Sequence, residues 1–210
     1  MNPAYAGGFY FGDSGVVANS RAGAWVAGAD NQFAQLYNPA GLVRVEGPTL
    51  NIGVNAVYQG VQFQRMDRNG NPMDAISNEA GPFPVPQFGF AMPFADKFAF
   101  AVGGFSPMAP DVTFPEDGPQ RYTLIDSSIF TYAIGASVAW KPVKVFSVGV
   151  GFSWHIFRAA ERLKVSTTVF PNPDGSDRPE DDVMVKLDTW DRFTLGYNVG
   201  LLLEPVPWMS

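Results

Sequence analysis

Six stretches of the sequence contain no Asp, Glu, Lys or Arg and place apolar side chains at every second position. They are residues 49–63, 86–95, 98–110, 127–140, 145–157 and 193–203. Alternation with a period of two predicts β-strands that have one apolar face. The opposite face carries mostly Gly, Ala, Ser and Asn, whereas a strand of a soluble sandwich usually carries charged residues there.

The parity of each stretch assigns its two faces. In residues 145–157, the even positions include Phe152 and Trp154, and the odd positions include Gly149 and Ser153. We expect the even positions to face lipid and the odd positions to face a lumen. Charge-free alternating strands of about ten residues, separated by turn-rich loops, are typical of outer-membrane barrels. The predicted fold class is therefore all-β, an antiparallel transmembrane β-barrel.

Composition supports strands as the membrane-facing elements. The chain is 46% hydrophobic and 16% charged, against about 25% charged in an average soluble domain. No run approaches the roughly 18 apolar residues of a membrane helix. The net charge of −6 argues against a nucleic-acid partner. The absence of cysteine from the sequence excludes thiol catalysis and cysteine-based metal sites.

The loops predict the direction of the strands. Strands are predicted at about 49–63, 86–95, 97–107, 127–141, 144–168 and 183–204. Two connections are short, at Asp96-Lys97 and at 141–144, and the others are long. Bacterial barrels have short periplasmic turns and long extracellular loops, so the first strand is expected to run outward. We expect Tyr58, Phe94, Trp140 and Trp208 to lie in the aromatic girdles.

Six strands are too few to close a barrel, for which about eight are needed. An open edge in hydrocarbon leaves backbone groups unsatisfied, at several kcal/mol each. We therefore expect residues 49–210 to be a partial transmembrane barrel, the first part of a longer protein that is monomeric when complete. A barrel shared by several six-strand copies is the alternative.

The residues before the first strand differ from the rest. Ala4-Tyr5-Ala6 resembles the end of a signal peptide, so we assign 1–6 to a residual leader. Residues 7–48 are rich in Gly and Ala and lack alternation. Asp30 is expected to cap a short helix that ends at Asn38-Pro39. We interpret 7–48 as a compact plug with short helices, called the hatch below.

Three segments carry a family resemblance: GGFY at 7–10, AGAWVAGAD at 22–30 and YNPAGL at 37–42. They resemble the N-terminal hatch of the FadL/TodX family, outer-membrane transporters of long-chain fatty acids and aromatic hydrocarbons. The resemblance covers residues 7–210 and implies a fourteen-stranded barrel, of which this chain supplies the first six strands. It also implies a multi-pass protein of the bacterial outer membrane that needs no cofactor. Its expected partners are hydrophobic small molecules, membrane lipid and lipopolysaccharide.

The resemblance implies a mechanism and its residues. Substrate binds in the barrel, the hatch moves, and substrate leaves sideways at a kink in the third strand. Here two prolines follow Ser106 and remove two ladder donors, where the family usually has Gly; the alternative is that the strand simply ends there. The implied ligand and gating residues are Gly7, Gly8, Phe9, Asn38, Pro39, Ala40, Pro107, Met108, Ala109 and Pro110.

The resemblance also implies a basic residue near a bound carboxylate. Arg158 and Arg162 are the candidates. Their outward parity favours a different interpretation, in which both face solvent or lipopolysaccharide phosphates. Arginine pairs well with carboxylates in either place.

An enzyme and a scaffold are the other two classes of function. An enzyme needs a nucleophile and a base, and His155, the only histidine, has inward parity beside Ser153. We expect His155 to hydrogen-bond the hatch, and we assign no catalytic residue because no triad is visible. The acidic run 180–182 is interpreted as solvated loop, and no metal site is assigned. The alternative function is a barrel that acts as a scaffold or shuttle in protein secretion or surface assembly.

Overall fold

The computed structural model describes residues 15–67, 69–167 and 178–205. In these ranges a small helical segment packs against one face of a large antiparallel sheet. None of the helices in the described part of the chain is both long and apolar enough to cross a membrane.

The described part of the hatch, residues 15–48, contains three short helices. They are α1 (Val16–Ser20), α2 (Ala34–Tyr37) and the 3-10 helix Pro39–Arg44. The large side chains Trp25, Phe33 and Leu42 of this part of the hatch are fully buried. These side chains belong to one core with small residues of the sheet, Ala91, Ala99, Ala101 and Ala139. The small residues on this face of the sheet therefore leave room for the large side chains of the hatch. We call the main sheet the wall.

The predicted cap at Asp30 is wrong. Helix α2 begins at Ala34, and its N-cap residue Phe33 makes no side-chain cap. Instead the Phe33 amide donates to the Asn31 side chain at 2.8 Å, which closes a local turn before the helix. Asp30 is exposed. The helix ends at Tyr37 because Asn38 is extended, as the residue before a proline prefers to be.

Seven strands form the main sheet in the order β1-β4-β5-β7-β8-β9, with β6 paired to β7. All pairs are antiparallel. The strands are β1 (Thr49–Val57), β4 (Phe83–Phe94), β5 (Phe98–Met108), β6 (Asp111–Thr113), β7 (Asp126–Val143), β8 (Phe146–Ser166) and β9 (Asp182–Leu203). A separate hairpin pairs β2 (Gln62–Phe63) with β3 (Ile76–Ser77), and a short 3-10 helix, Pro179–Asp181, precedes β9.

The first strand is shorter than predicted. It ends at Val57, the last residue paired to β4, rather than at residue 63. The chain then leaves the sheet, because Asn78 of the following loop holds it from the side. The Asn78 side chain donates to the Gln59 carbonyl at 2.8 Å, and the Asn78 amide donates to the Val61 carbonyl at 2.8 Å.

Alternation along the strands separates two faces as expected. On β8, Val150 and Phe152 are 55% and 56% exposed, whereas Ser147 is 0% exposed and Gly149 and Gly151 are buried. The buried face of the sheet is the face that packs on the hatch. On this part of β8 the even positions are therefore the exposed ones and the odd positions the buried ones, as the parity predicted.

The two tight turns, at 95–97 and 144–145, lie at one end of the sheet. The register aligns Phe94, Phe98 and Trp140 across three strands there. Their rings stack in sequence, with centroids 5.5 Å and 6.1 Å apart. Across the described residues, β1 and β9 each pair with a single strand of the sheet, so the sheet is open at both edges.

Candidate functional site

The Asn38-Pro39-Ala40 motif joins the hatch to the wall. The Asn38 side chain accepts from the Ala40 amide at 3.1 Å and caps the 3-10 helix that follows. Its Nδ2 donates to the Leu201 carbonyl of β9, also at 3.1 Å. One side chain therefore fixes both the local turn and its contact with a strand that is 163 residues away in sequence.

Gly149 of β8 allows the Asn38-Pro39-Ala40 motif to approach the strand closely. A Cβ atom at Gly149 of β8 would stand 2.3 Å from the Pro39 carbonyl carbon and 2.4 Å from the Ala40 nitrogen. Because both neighbours are backbone atoms, no rotamer change relieves such a clash. Pro39 and Ala40 therefore pack directly against the backbone of β8 at Gly149.

A second anchor lies at the turn end of the sheet. Glu204, just after β9, accepts from Arg44 of the hatch at 2.9 Å and from Lys141 of β7 at 2.9 Å. Arg44 also donates to the Ala27 carbonyl at 2.7 Å. Partial burial alone would raise the pKa of Glu204, but the hydrogen bonds from Lys141 and Arg44 outweigh it, so the pKa lies below its usual value.

A cavity of about 250 Å³ lies between α2 and the inner faces of β5, β7, β8 and β9. Its apolar lining includes Leu36, Phe105 and Pro107. Its polar lining includes Gln35, Ser137, Ser153, His155 and Asn198. Mixed lining of this kind, mostly apolar with a few polar groups, is typical of small-molecule sites.

The expectation that His155 hydrogen-bonds the hatch is wrong. The His155 ring and the Ser153 hydroxyl bond to each other at 2.8 Å, along the same strand. The hatch bond comes from Asn198 of β9, whose Nδ2 donates to the Gln35 carbonyl at 2.7 Å. Residues 153 and 155 are adjacent on one face of the strand, so their side chains hydrogen-bond to each other.

Strand β5 contains an irregularity where the sequence predicted a kink. Between Phe105 and Met108 the chain advances three residues on β5 against two on β7. This is a β-bulge with one extra residue, and Pro107 lies within it. Beyond Ala109-Pro110 the pairing with β7 continues through β6.

Pairing on the other side of β5 stops at the bulge. The β4–β5 ladder ends at Phe88↔Gly104, although β4 continues to Phe83 and stays paired to β1. No ladder pairs therefore join residues 83–87 of β4 to the adjacent segment, residues 105–110. We call this interruption the wall gap.

Two prolines of β4 explain the wall gap. The Phe88 carbonyl oxygen lies toward β5, 2.8 Å from where a Cβ atom on Gly103 would stand. Because backbone groups of alternate residues in a strand point the same way, Pro84 and Pro86 also turn toward β5. Proline has no N–H, so β4 offers no donor there. The β4 side of the wall gap thus lacks backbone donors at two positions, and Pro107 and Pro110 lack them on the other side.

An aromatic pair spans the wall gap. The rings of Phe83 on β4 and Phe130 on β7 meet edge to face, with centroids 6.1 Å apart, although the two strands are not neighbours in the sheet. Phe130 also stacks on Tyr132 at 6.2 Å.

The two candidate arginines lie away from the cavity. Arg158 pairs with Asp188 at 3.1 Å and covers the ring of Trp190. Arg162 pairs with Asp126. Neither lines the cavity. Their role with a carboxylate stays a prediction from the resemblance.

The remaining sequence candidates separate into two groups. Gly7, Gly8 and Phe9 lie outside the described residues, as do the assigned leader 1–6 and Trp208. The acidic run is engaged with arginines: Glu180 and Asp181 with Arg178, and Asp182 with Arg121.

Sequence reasoning missed several residues of the site. Pro84 and Pro86 carried a visible signal, since prolines in a strand mark an edge or a break in pairing. Ser137, Ser153 and Asn198 had inward parity but no motif. Gln35 lies on a short helix, where no pattern shows what its side chain meets.

Comparison with known proteins identifies a family. The profile of the family described as "Outer membrane protein transport protein (OMPP1/FadL/TodX)" matches residues 2–209. A comparison with curated proteins gives no match.

Two solved structures share the fold. A FadL homologue of Pseudomonas aeruginosa superposes with a TM-score of 0.66 at 19% identity, covering 95% of this chain and 50% of its own. The CymD monoaromatic hydrocarbon channel superposes with a TM-score of 0.57 at 16% identity, covering 92% of this chain and 50% of its own. The chain therefore spans about half the length of these structures.

Proposed function

Because the chain belongs to the OMPP1/FadL/TodX family of outer-membrane transport proteins, we propose that it forms part of a transporter that carries hydrophobic small molecules across the outer membrane. Substrate binds in the lumen beside the hatch, the hatch moves, and substrate leaves sideways through the wall gap. One observation carries the proposal: Pro107 lies in the β5 bulge and also lines the cavity. The binding space therefore adjoins the interruption in the wall.

The wall gap suits sideways release for a physical reason. An intact ladder binds neighbouring strands by a row of backbone hydrogen bonds, and a solute passing between them would have to break several. At the wall gap Pro84, Pro86, Pro107 and Pro110 provide no donors, so separating the strands costs fewer hydrogen bonds. Side chains hold the wall there, and side chains rotate faster than ladders open.

Hatch movement is proposed as the step that opens the way from the cavity to the wall gap. Three polar contacts resist it: Asn38 to the Leu201 carbonyl, Asn198 to the Gln35 carbonyl, and Arg44 to Glu204. Each joins the hatch to β9 or its end, and Arg44 donates to Glu204 through two of its nitrogens. A shift of the hatch away from β9 breaks all three and leaves its other packing to slide.

The experiment closes the wall gap. Deleting Pro107 removes the extra residue of the bulge, and Pro84→Val with Pro86→Val returns two N–H donors that face β5. We expect uptake of labelled oleate and toluene by cells carrying the complete protein to fall to the level of cells that lack it. The added hydrogen bonds should raise the thermal stability of the variant.

The matched control deletes Gly70, an exposed loop residue with no atom within 4 Å of its Cβ position. Its uptake should equal that of the wild type at equal surface expression. Unchanged uptake in the closed variant would reject sideways release. If the complete protein supports no uptake of either compound but its deletion abolishes display of a surface protein, a scaffolding role replaces transport.

A further inference from the structure

Gln35 has a buried side chain without a partner. It is 4% exposed, and neither its Nε2 nor its Oε1 makes a hydrogen bond with any described residue. Its backbone carbonyl is held by Asn198, so helix α2 keeps the side chain in place. A buried amide in this state costs free energy until a donor and an acceptor reach it.

Gln35 belongs to the lining of the cavity. Its Nε2 stands over Gly103 of β5, at 2.3 Å from where a Cβ atom would be, so a larger residue at 103 would displace it. Gln35 lines the cavity together with the hydrogen-bonded pair Ser153 and His155. The cavity thus presents an unused donor and acceptor beside apolar surface from Leu36 and Phe105.

The lining argues for a neutral ligand. Of the described residues that line the cavity, none is Asp, Glu, Lys or Arg. A bound carboxylate would lose water and gain no counter-ion, which disfavours the ionised form strongly. A neutral hydroxyl both donates and accepts, and so it satisfies either end of the Gln35 amide.

The volume argues for a single ring. A cavity of about 150 Å³ engineered into another protein binds benzene. The cavity here is about 250 Å³, which accommodates one six-membered ring with one or two small substituents.

We propose that this cavity selects neutral hydroxylated ring compounds of the phenol class, with the ligand hydroxyl bound to the Gln35 amide and the ring against Leu36 and Phe105. The assignment rests on the proposed function, because such a compound is cargo of the transporter. It makes Gln35 a specificity-determining residue.

The test compares p-cresol with toluene, which lacks only the hydroxyl, and with benzoate, which is charged. Binding to the complete purified protein in detergent is measured by calorimetry. We expect p-cresol to bind about tenfold more tightly than toluene, the effect of one good hydrogen bond. Gln35→Met, which keeps the length and removes the amide, should abolish that difference and leave toluene affinity within about twofold.

The matched control is Gln32→Met. Gln32 is 6% exposed, lies on the hatch close to Gln35 in sequence and does not line the cavity, so both affinities should stay unchanged. Retained toluene binding shows that the Gln35→Met cavity is folded. Equal p-cresol affinity in wild type and Gln35→Met, or benzoate binding as tight as that of p-cresol, would overturn the proposal.

Uptake by cells separates this proposal from the proposed function. If uptake occurs but p-cresol binding ignores Gln35, the site is wrong and transport stands. If binding depends on Gln35 but neither compound is taken up, transport is wrong and the site stands.

Discussion

At the scale of single residues, the hatch packs against the glycine and alanine residues of the wall. Pro39 and Ala40 rest on the backbone of Gly149, and the bulky core of the hatch rests on wall alanines. Interiors are packed closely enough that one added methyl group is felt. The smallest residues of the wall therefore determine where the hatch sits.

Gly149→Ala is expected to loosen the hatch. The new Cβ would clash with the backbone of Pro39 and Ala40, and overpacking of this kind costs about 1–3 kcal/mol. Denaturant unfolding of the purified protein and protease sensitivity of the hatch measure the effect. Gly47→Ala is the control, because its Cβ position has no neighbour within 4 Å. Equal stability of the two variants would show that the contact is not tight.

Some single-residue features were readable from sequence and others were not. Inward parity of Ser153 and outward parity of Phe152 followed from alternation alone. The choice of Asn31 over Asp30 depended on where the chain turns, since both residue types make such turns. The isolation of the Gln35 amide depends on which residues distant strands place around it, and no local pattern contains that information.

At the scale of elements, the informative feature is the relation of β4 to its two neighbours. Pairing with β1 runs along β4 from Phe83 to Ala91, whereas pairing with β5 runs from Phe94 and stops at Phe88. The prolines at 107 and 110 predicted an irregular third strand. That Pro84 and Pro86 face the same interruption required the strand pairing, because sequence does not say which neighbour a strand residue faces.

The aromatic pair across the wall gap should limit the rate of release. Phe83 and Phe130 are in contact at 6.1 Å between centroids, and such pairs contribute about 0.5–1.5 kcal/mol beyond area burial. Phe83→Ala with Phe130→Ala should raise uptake of bulky substrates about two- to tenfold, as that energy converts to rate.

The matched control is a double alanine at Phe94 and Phe98, a stacked pair at the turn end, 5.5 Å apart. It removes the same groups far from the wall gap. Uptake normalised to surface expression distinguishes the two. Equal or slower uptake in the Phe83/Phe130 variant would mean that the pair does not close the outlet.

At the scale of the whole molecule, hatch, wall and turn meet at Glu204. It joins Arg44 of the hatch to Lys141 of the wall. The sequence predicted the fold class and the family from alternation and the hatch motifs, and both are confirmed. It gave no sign of this cluster, because its three charges are far apart in sequence and none belongs to a motif.

The Glu204 cluster makes stability depend on pH. Folding lowers the pKa of Glu204, so its ionised form stabilises the folded state. That contribution is complete above its ordinary pKa of 4.5 and is lost as pH falls through the lowered value. Thermal unfolding of wild type and Glu204→Gln should therefore differ at neutral pH and converge in acid.

The control is Glu46→Gln, at an exposed position of the hatch. Its melting temperature should follow that of the wild type at every pH. A wild-type advantage over Glu204→Gln that persists unchanged into acid would show that charge at Glu204 does not hold the anchor.

The Asn38 contact also has a consequence in time. Its partner, the Leu201 carbonyl, lies 163 residues later in the chain, and the Arg44–Glu204 contact spans 160. Contacts this distant form slowly, because a long loop must close before they stabilise anything. The hatch is synthesised first, yet its contacts through Asn38 and Arg44 form only after β9 has been added to the sheet. During biogenesis, the hatch therefore reaches its final position after the six long strands have paired.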